Sequence, residues 1–183
     1  MTVTKYSQNY FEIIEKYKNF HINGTKKLPP SKTFAGHSLV KWVFKIKKII
    51  HKSNSKTIID YGCGKAFLYH NQIKIGEDTY KNLQEYWVLN HIFLYDPAVD
   101  EYSQPPIKKT DGVICTDVIE HIPEEDILVF IENLFKLANK FVFFVIATIP
   151  ATKYFDDGRN IHLCLKTEKE WENEGIIPRD EDF

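Results

Sequence analysis

Residues 58–66 constrain this chain more than any other stretch: Ile58 and Ile59, then Asp60, Tyr61, Gly62, Cys63, Gly64, Lys65 and Ala66. Two β-branched residues read as the end of a buried strand. An aspartate stands at its carboxyl tip, followed by two glycines spaced by one residue. Glycine suits a turn that needs unusual backbone angles and leaves bare main chain for a ligand to lie against. In an open parallel sheet, the first strand-to-helix turn is where nucleotide-like ligands bind.

The same residues narrow the ligand. A dinucleotide fingerprint has a third glycine three positions after the second, seating a pyrophosphate on the helix N-terminus. Phe67 stands there instead. The carboxylate of Asp60 repels a phosphate and attracts a cation, and no Gly-Lys-Ser/Thr phosphate loop follows. A ligand with a positive centre, an adenosine and no phosphate fits, and S-adenosylmethionine is such a ligand. The plainer alternative is a tight strand-to-helix turn that binds nothing.

Ahead of this turn, Tyr6, Tyr10, Ile13, Ile14 and Tyr17 recur at helical spacing and predict an amphipathic helix over 5–20. Gly24 and the Pro29, Pro30 pair make 21–33 a loop. A second helix is expected over 35–51, with Leu39, Val43, Ile46 and Ile50 inward and a lysine-rich outer face that reads as solvated surface. These helices would sit over the carboxyl edge of the sheet, making Phe34 and His37 candidate substrate-lid residues. The first strand is expected over 57–60, a helix from about Lys65, and a loop with a short helix in 71–87. The second strand, 91–95, ends in Asp96 and Pro97, where a carboxylate can accept hydrogen bonds from both ribose hydroxyls. Pro105 and Pro106 forbid a helix interior, so the next helix and strand reduce to a loop or one short edge strand. A strand over 112–115 leads to Thr116 and Asp117. Pro123 and three following acids mark a helix start, and 141–148 is a continuous apolar run expected as a central strand covered on both faces.

Length and composition limit what this framework can serve. The chain has 183 residues, 43% of them apolar and 14% aromatic, enough for one packed domain. A net charge of −1 gives no overall attraction to nucleic acid. Cys63, Cys115 and Cys164 are odd in number without CxxC spacing, so a reducing compartment is expected. The start lacks the pattern of a secretion signal, and the longest apolar run is too short for a bilayer, so a cytoplasmic protein with no membrane association is expected. His162 and Cys164 form a possible metal pair, but no further ligands cluster near them in sequence, and no metal is expected.

With these pieces placed, the chain resembles the class I S-adenosylmethionine-dependent methyltransferases. The resemblance rests on Asp60-Tyr61-Gly62-Cys63-Gly64, on Tyr95-Asp96-Pro97, and on residues 111–123 with Asp117, Val118, Glu120, His121 and Pro123 in a "D-V-x-E-H-I-P" run. It spans roughly 55–150, with Ala66 replacing a third glycine. It implies an α/β, Rossmann-like doubly wound, mostly parallel sheet with helices on both faces, a reduced third strand and an incomplete C-terminal hairpin. The single domain would comprise a helical cap (1–52), a cofactor-binding core (53–150) and a shortened C-terminal part (151–183). Asp60, Tyr61, Gly62, Cys63 and Gly64 would hold the methionine and ribose part of the cofactor, Asp96 and Pro97 the ribose, and Asp117 and Val118 would border the transferring methyl. His121 and His162 are the candidate catalytic bases, each with a purely structural alternative. The Pro-Pro-aromatic and Pro-Cys motifs of base-modifying relatives are missing after residue 116, so nucleic acid is a disfavoured substrate and a small-molecule O or N acceptor is expected. The rival reading is a cofactor-binding protein of the same fold without transfer. The apolar edge at 141–148 needs a cover, either 161–165 or the second subunit of a homodimer.

Overall fold

The computed structural model describes residues 5–25 and 28–177; two residues of the expected 21–33 loop and the end of the polar tail lie outside them. In chain order the first elements are α1 (Gln8–Asn23), α2 (Val43–Lys52), β1 (Thr57–Tyr61) and α3 (Phe67–His70). Next come β2 (Ile73–Ile75), β3 (Asp78–Tyr80), α4 (Leu83–Trp87) and β4 (His91–Tyr95). The chain finishes with β5 (Thr110–Thr116), α5 (Ile127–Leu137), β6 (Ala138–Val145) and α6 (Glu168–Asn173). β4, β1, β5 and β6 form one parallel sheet in that order, so all four carboxyl ends open on the same edge. The fold is α/β and Rossmann-like.

Side-chain alternation along β1 sorts the two layers. Ile58 packs with Val43, Ile46 and Ile50 of α2 and with Leu83, Tyr86 and Trp87 of α4. Ile59 and Tyr61 point the other way, into Phe130, Ile131 and Leu134 of α5 and Trp171 of α6. Each fully buried aliphatic or aromatic side chain here contributes about 1.5–3 kcal/mol by leaving water. α1 starts at Ser7, whose hydroxyl oxygen accepts from Tyr10 N–H at 3.1 Å. Ser7 also donates through its N–H and hydroxyl to the Asp126 carboxylate, at 2.7 and 2.5 Å, pinning α1 to the turn that leads into α5. From there α1 crosses the carboxyl edge of the sheet, burying Ile13, Tyr17 and Phe20 against Ala98, Phe155 and Ile161.

Several expectations need correction. α3 is a single turn, and 71–80 contains a β2–β3 hairpin rather than a loop, because Ile73 and Ile75 favour extended backbone and Gly76 takes the turn at φ 66°. The 97–109 segment, by contrast, is the loop expected from Pro105 and Pro106, with one 3₁₀ turn, Asp100–Tyr102, and neither a helix nor a strand. β6 is not central: it is one of the two edge strands of the sheet, opposite β4, and mostly half-exposed. Nor is it covered by 161–165, which is not a strand. The N–H groups of Leu163 and Cys164 donate instead to the Glu120 carbonyl, at 2.7 and 3.0 Å, drawing the segment over the cavity end of β5. The C-terminal hairpin is incomplete, as expected: after β6 the described residues show one isolated bridge, Tyr154 to Asn160.

Candidate active site

A cavity of about 450 Å³ opens where β1, β4 and β5 end, and α1 closes it from above. That volume is typical of small-molecule sites, and the place is where ligands bind in open α/β sheets. Its floor is the loop after β1. Gly62 N–H donates to the Tyr95 carbonyl at 2.7 Å, and Gly64 N–H donates to Asp96 Oδ2 at 2.9 Å. At Gly62, φ is 93° and an added Cβ would stand 2.4 Å from Val118 Cγ2. At Gly64, φ is 57° and an added Cβ would stand 2.4 Å from the Phe34 carbonyl oxygen. Bare backbone is therefore a steric requirement at both positions.

Asp96 joins two sides of this floor, because Ala98 N–H donates to its Oδ1 at 2.9 Å while Gly64 holds Oδ2. Burial raises its pKa and the two N–H donors pull it back, so the carboxylate keeps lone pairs for a ligand's hydroxyls. Pro97, Tyr61, Asp117 and Val118 line the same cavity. Asp117 adopts a left-handed φ of 55°, with its N–H on the Val145 carbonyl at 3.0 Å. Left-handed backbone at a non-glycine residue clusters at functional sites. Phe34 lines the cavity too.

Three expected site residues do not line this cavity. Asp60 shares the α2–α4 side of β1 with Ile58 and borders only a small neighbouring cleft, as does Cys63. Asp60 is buried and accepts from the Tyr69 hydroxyl at 2.7 Å; burial raises its pKa to about 7, the Tyr69 bond opposes the rise and Asp96 adds to it. His37 packs outside the loop against Phe67, with ring centroids 4.7 Å apart.

Opposite the glycine loop, the cavity wall combines Glu120, His121, Lys153 and His162. His121 Nδ1 lies 2.9 Å from the Ile161 carbonyl oxygen and 2.7 Å from the Tyr17 hydroxyl. A carbonyl only accepts, so Nδ1 carries the proton and Nε2 the lone pair. His162 Nδ1 lies 2.6 Å from the Ile149 carbonyl oxygen, with the same consequence. Burial lowers the His121 pKa to about 4, the Ile161 carbonyl opposing it, and burial raises that of Glu120 to about 7. Glu120 is 0% exposed; no side chain pairs with its carboxylate, and only the backbone N–H groups of Glu120 and Ala147, outside good hydrogen-bond geometry, favour its charged form against burial and the nearby Asp117. Sequence reasoning named both histidines but passed over Glu120, which sits in the 3₁₀ turn Ile119–His121 where the spacing alone does not reveal an inward carboxylate. It also missed the α1 residues Tyr10, Ile13, Ile14 and Tyr17 that line the cavity. Among the described residues the group of three possible metal ligands is Glu120, His121 and His162, one ligand atom from each within 4.8 Å of the others, and Cys164 is not part of it.

No family model and no curated protein matches this chain. Among solved structures it is similar to that of a DhpI–SAH complex, over 92% of this chain and 86% of that one, at 14% identity and a TM-score of 0.53. A likeness at that identity shows a shared fold.

Proposed function

We propose that this protein is an S-adenosylmethionine-dependent methyltransferase acting on an O or N atom of a small molecule. The observation that carries the reading is the pairing, on one cavity floor, of two glycines that tolerate no side chain with a carboxylate at the end of the neighbouring strand. The shared fold with a protein solved as an SAH complex supports it, SAH being the demethylated product of that cofactor. When bound, the sulfonium supplies the methyl group and is left as a neutral thioether.

In this reading Asp96 accepts the two ribose hydroxyls, and the Gly62–Gly64 backbone gives the adenosyl moiety room to approach. Asp117 and Val118 border the reacting centre. α1 restricts the acceptor to what fits beneath it and excludes water, which supports a small molecule over a polymer. Holding the acceptor in line with the methyl is the main catalytic demand, since a well-oriented bound pair reacts far faster than a free one. The acceptor lone pair forms the new bond, and any proton it releases passes to a nitrogen lone pair on His121 or His162.

Calorimetry with S-adenosylhomocysteine tests the reading. One molecule is expected to bind per chain, and Asp96→Asn is expected to weaken binding about tenfold or more, the worth of one good hydrogen bond. The unfolding temperature, measured in parallel, separates lost recognition from lost folding. Absence of binding to the wild-type chain overturns the proposal. Incubation with methyl-labelled cofactor and a metabolite panel then distinguishes transfer from binding alone.

A further inference from the structure

We infer that Glu120, His121 and His162 form a site for a divalent first-row transition-metal ion, of the zinc, cobalt or iron(II) class, on the wall of the cavity facing the glycine loop. Three independent observations converge on it. One ligand atom from each residue lies within 4.8 Å of the others. An ion bonded at about 2.1 Å to each holds such atoms roughly 3–4 Å apart, so the three close by about 1 Å, a side-chain adjustment. Glu120 is fully buried, and its carboxylate has no side-chain or cationic partner and no well-formed hydrogen bond, only the backbone N–H groups of Glu120 and Ala147 nearby, an arrangement that a cation completes.

The third observation is the tautomer. The Nδ1 atoms of His121 and His162 are each committed to a backbone carbonyl, of Ile161 and Ile149, leaving Nε2 as the ligating nitrogen of both rings. Metal-binding histidines are oriented in this way, by giving their other ring N–H to a carbonyl or carboxylate. Two imidazoles with one carboxylate suit zinc, cobalt or iron(II), whereas calcium and magnesium ask for sets made of oxygen. Three protein ligands leave a coordination position for a ligand from the cavity. With both Nε2 lone pairs on the ion, the metal would take over from the histidines the task of activating the acceptor. An acceptor oxygen in that position would be more acidic and would lose its proton to solvent, while in the metal-free chain the histidines stay the bases; this consequence rests on the methyltransferase reading, but the metal site itself does not.

The full chain, stripped with a chelator and dialysed, is titrated with Zn²⁺ and Co²⁺ and followed by elemental analysis, the visible spectrum of Co²⁺ and the unfolding temperature. One ion per chain is expected, with a raised unfolding temperature and a Co²⁺ spectrum of nitrogen and oxygen ligation. His162→Ala and Glu120→Gln are each expected to weaken binding about tenfold or more. Glu120→Gln is also expected not to lower the unfolding temperature of the metal-free chain, since the amide keeps an oxygen towards the Glu120 and Ala147 N–H groups and has no charge to bury. Lack of saturable binding to the wild-type chain overturns the inference, and so does binding that both variants retain. These readouts need no methyl transfer, so their failure leaves the cofactor reading standing, and failed binding of S-adenosylhomocysteine leaves the metal count unaffected.

Discussion

Gly64→Ala is expected to destabilise the protein by about 2–4 kcal/mol and to remove binding of an adenosyl ligand. Two costs combine. The first is conformational: at φ 57° an alanine pays on the order of 1 kcal/mol or more for a left-handed backbone. The second is steric, because the new Cβ would stand 2.4 Å from the Phe34 carbonyl oxygen, main chain that cannot swing aside like a long side chain. That carbonyl accepts from Lys65 N–H at 3.0 Å, and the Ala35 carbonyl accepts from Phe67 N–H at 3.3 Å. Moving Phe34 therefore unzips the segment before α2 from the glycine loop and shifts the cavity floor. Gly76 supplies the control. Its φ of 66° carries the same conformational cost, but an added Cβ there meets nothing within 4 Å. Gly76→Ala is expected to cost only about 1 kcal/mol and to leave binding intact. Urea unfolding of both variants reads the difference, and equal losses would show that the clash with Phe34 has no weight.

That contact also marks where sequence reasoning runs out. Strand β4, the helix carrying Phe130, Ile131 and Leu134, and the glycine turn were legible because local periodicity and turn chemistry decide them. The edge position of β6 was not: an apolar run such as 141–148 signals burial on both faces, while strand order depends on which segment returns beside it. Residues 161–165 return elsewhere, to the Glu120 carbonyl, a bond between residues more than forty positions apart. The Glu120, His121 and His162 group was hidden for the same reason. Its third member arrives on that returning segment, and the inward direction of Glu120 is set by a 3₁₀ turn. Asp60 was legible as a residue at a strand end but not as to side; which face it takes follows from the parity of Ile58 and Ile59, whose layers were fixed only by packing.

Asp60→Asn is expected to stabilise the protein at pH 8 by about 2–4 kcal/mol more than it does at pH 4. Burial holds the Asp60 pKa at about 7, against an ordinary value of 3.8; the Tyr69 hydroxyl opposes the rise, and the neighbouring Asp96 adds to it. Because the folded pKa is the higher one, the native state binds the proton more tightly than the unfolded chain does. The resulting stability is fully present below about pH 4 and is lost as pH rises towards 7. The gap between the two values corresponds to about 4 kcal/mol, an upper figure for a single buried carboxyl. Asparagine keeps an oxygen for the Tyr69 hydroxyl and has no charge to lose, so the variant escapes the loss. Asp111 and Asp157, which their hydrogen-bond partners hold below the usual carboxylate range, act in the opposite direction, but they are common to both proteins and cancel in the comparison. Urea unfolding of the two proteins at several pH values between 4 and 8 gives the test. Parallel pH profiles would mean that Asp60 ionises in the fold as freely as in water, and that something other than a buried proton offsets its charge beneath the glycine loop.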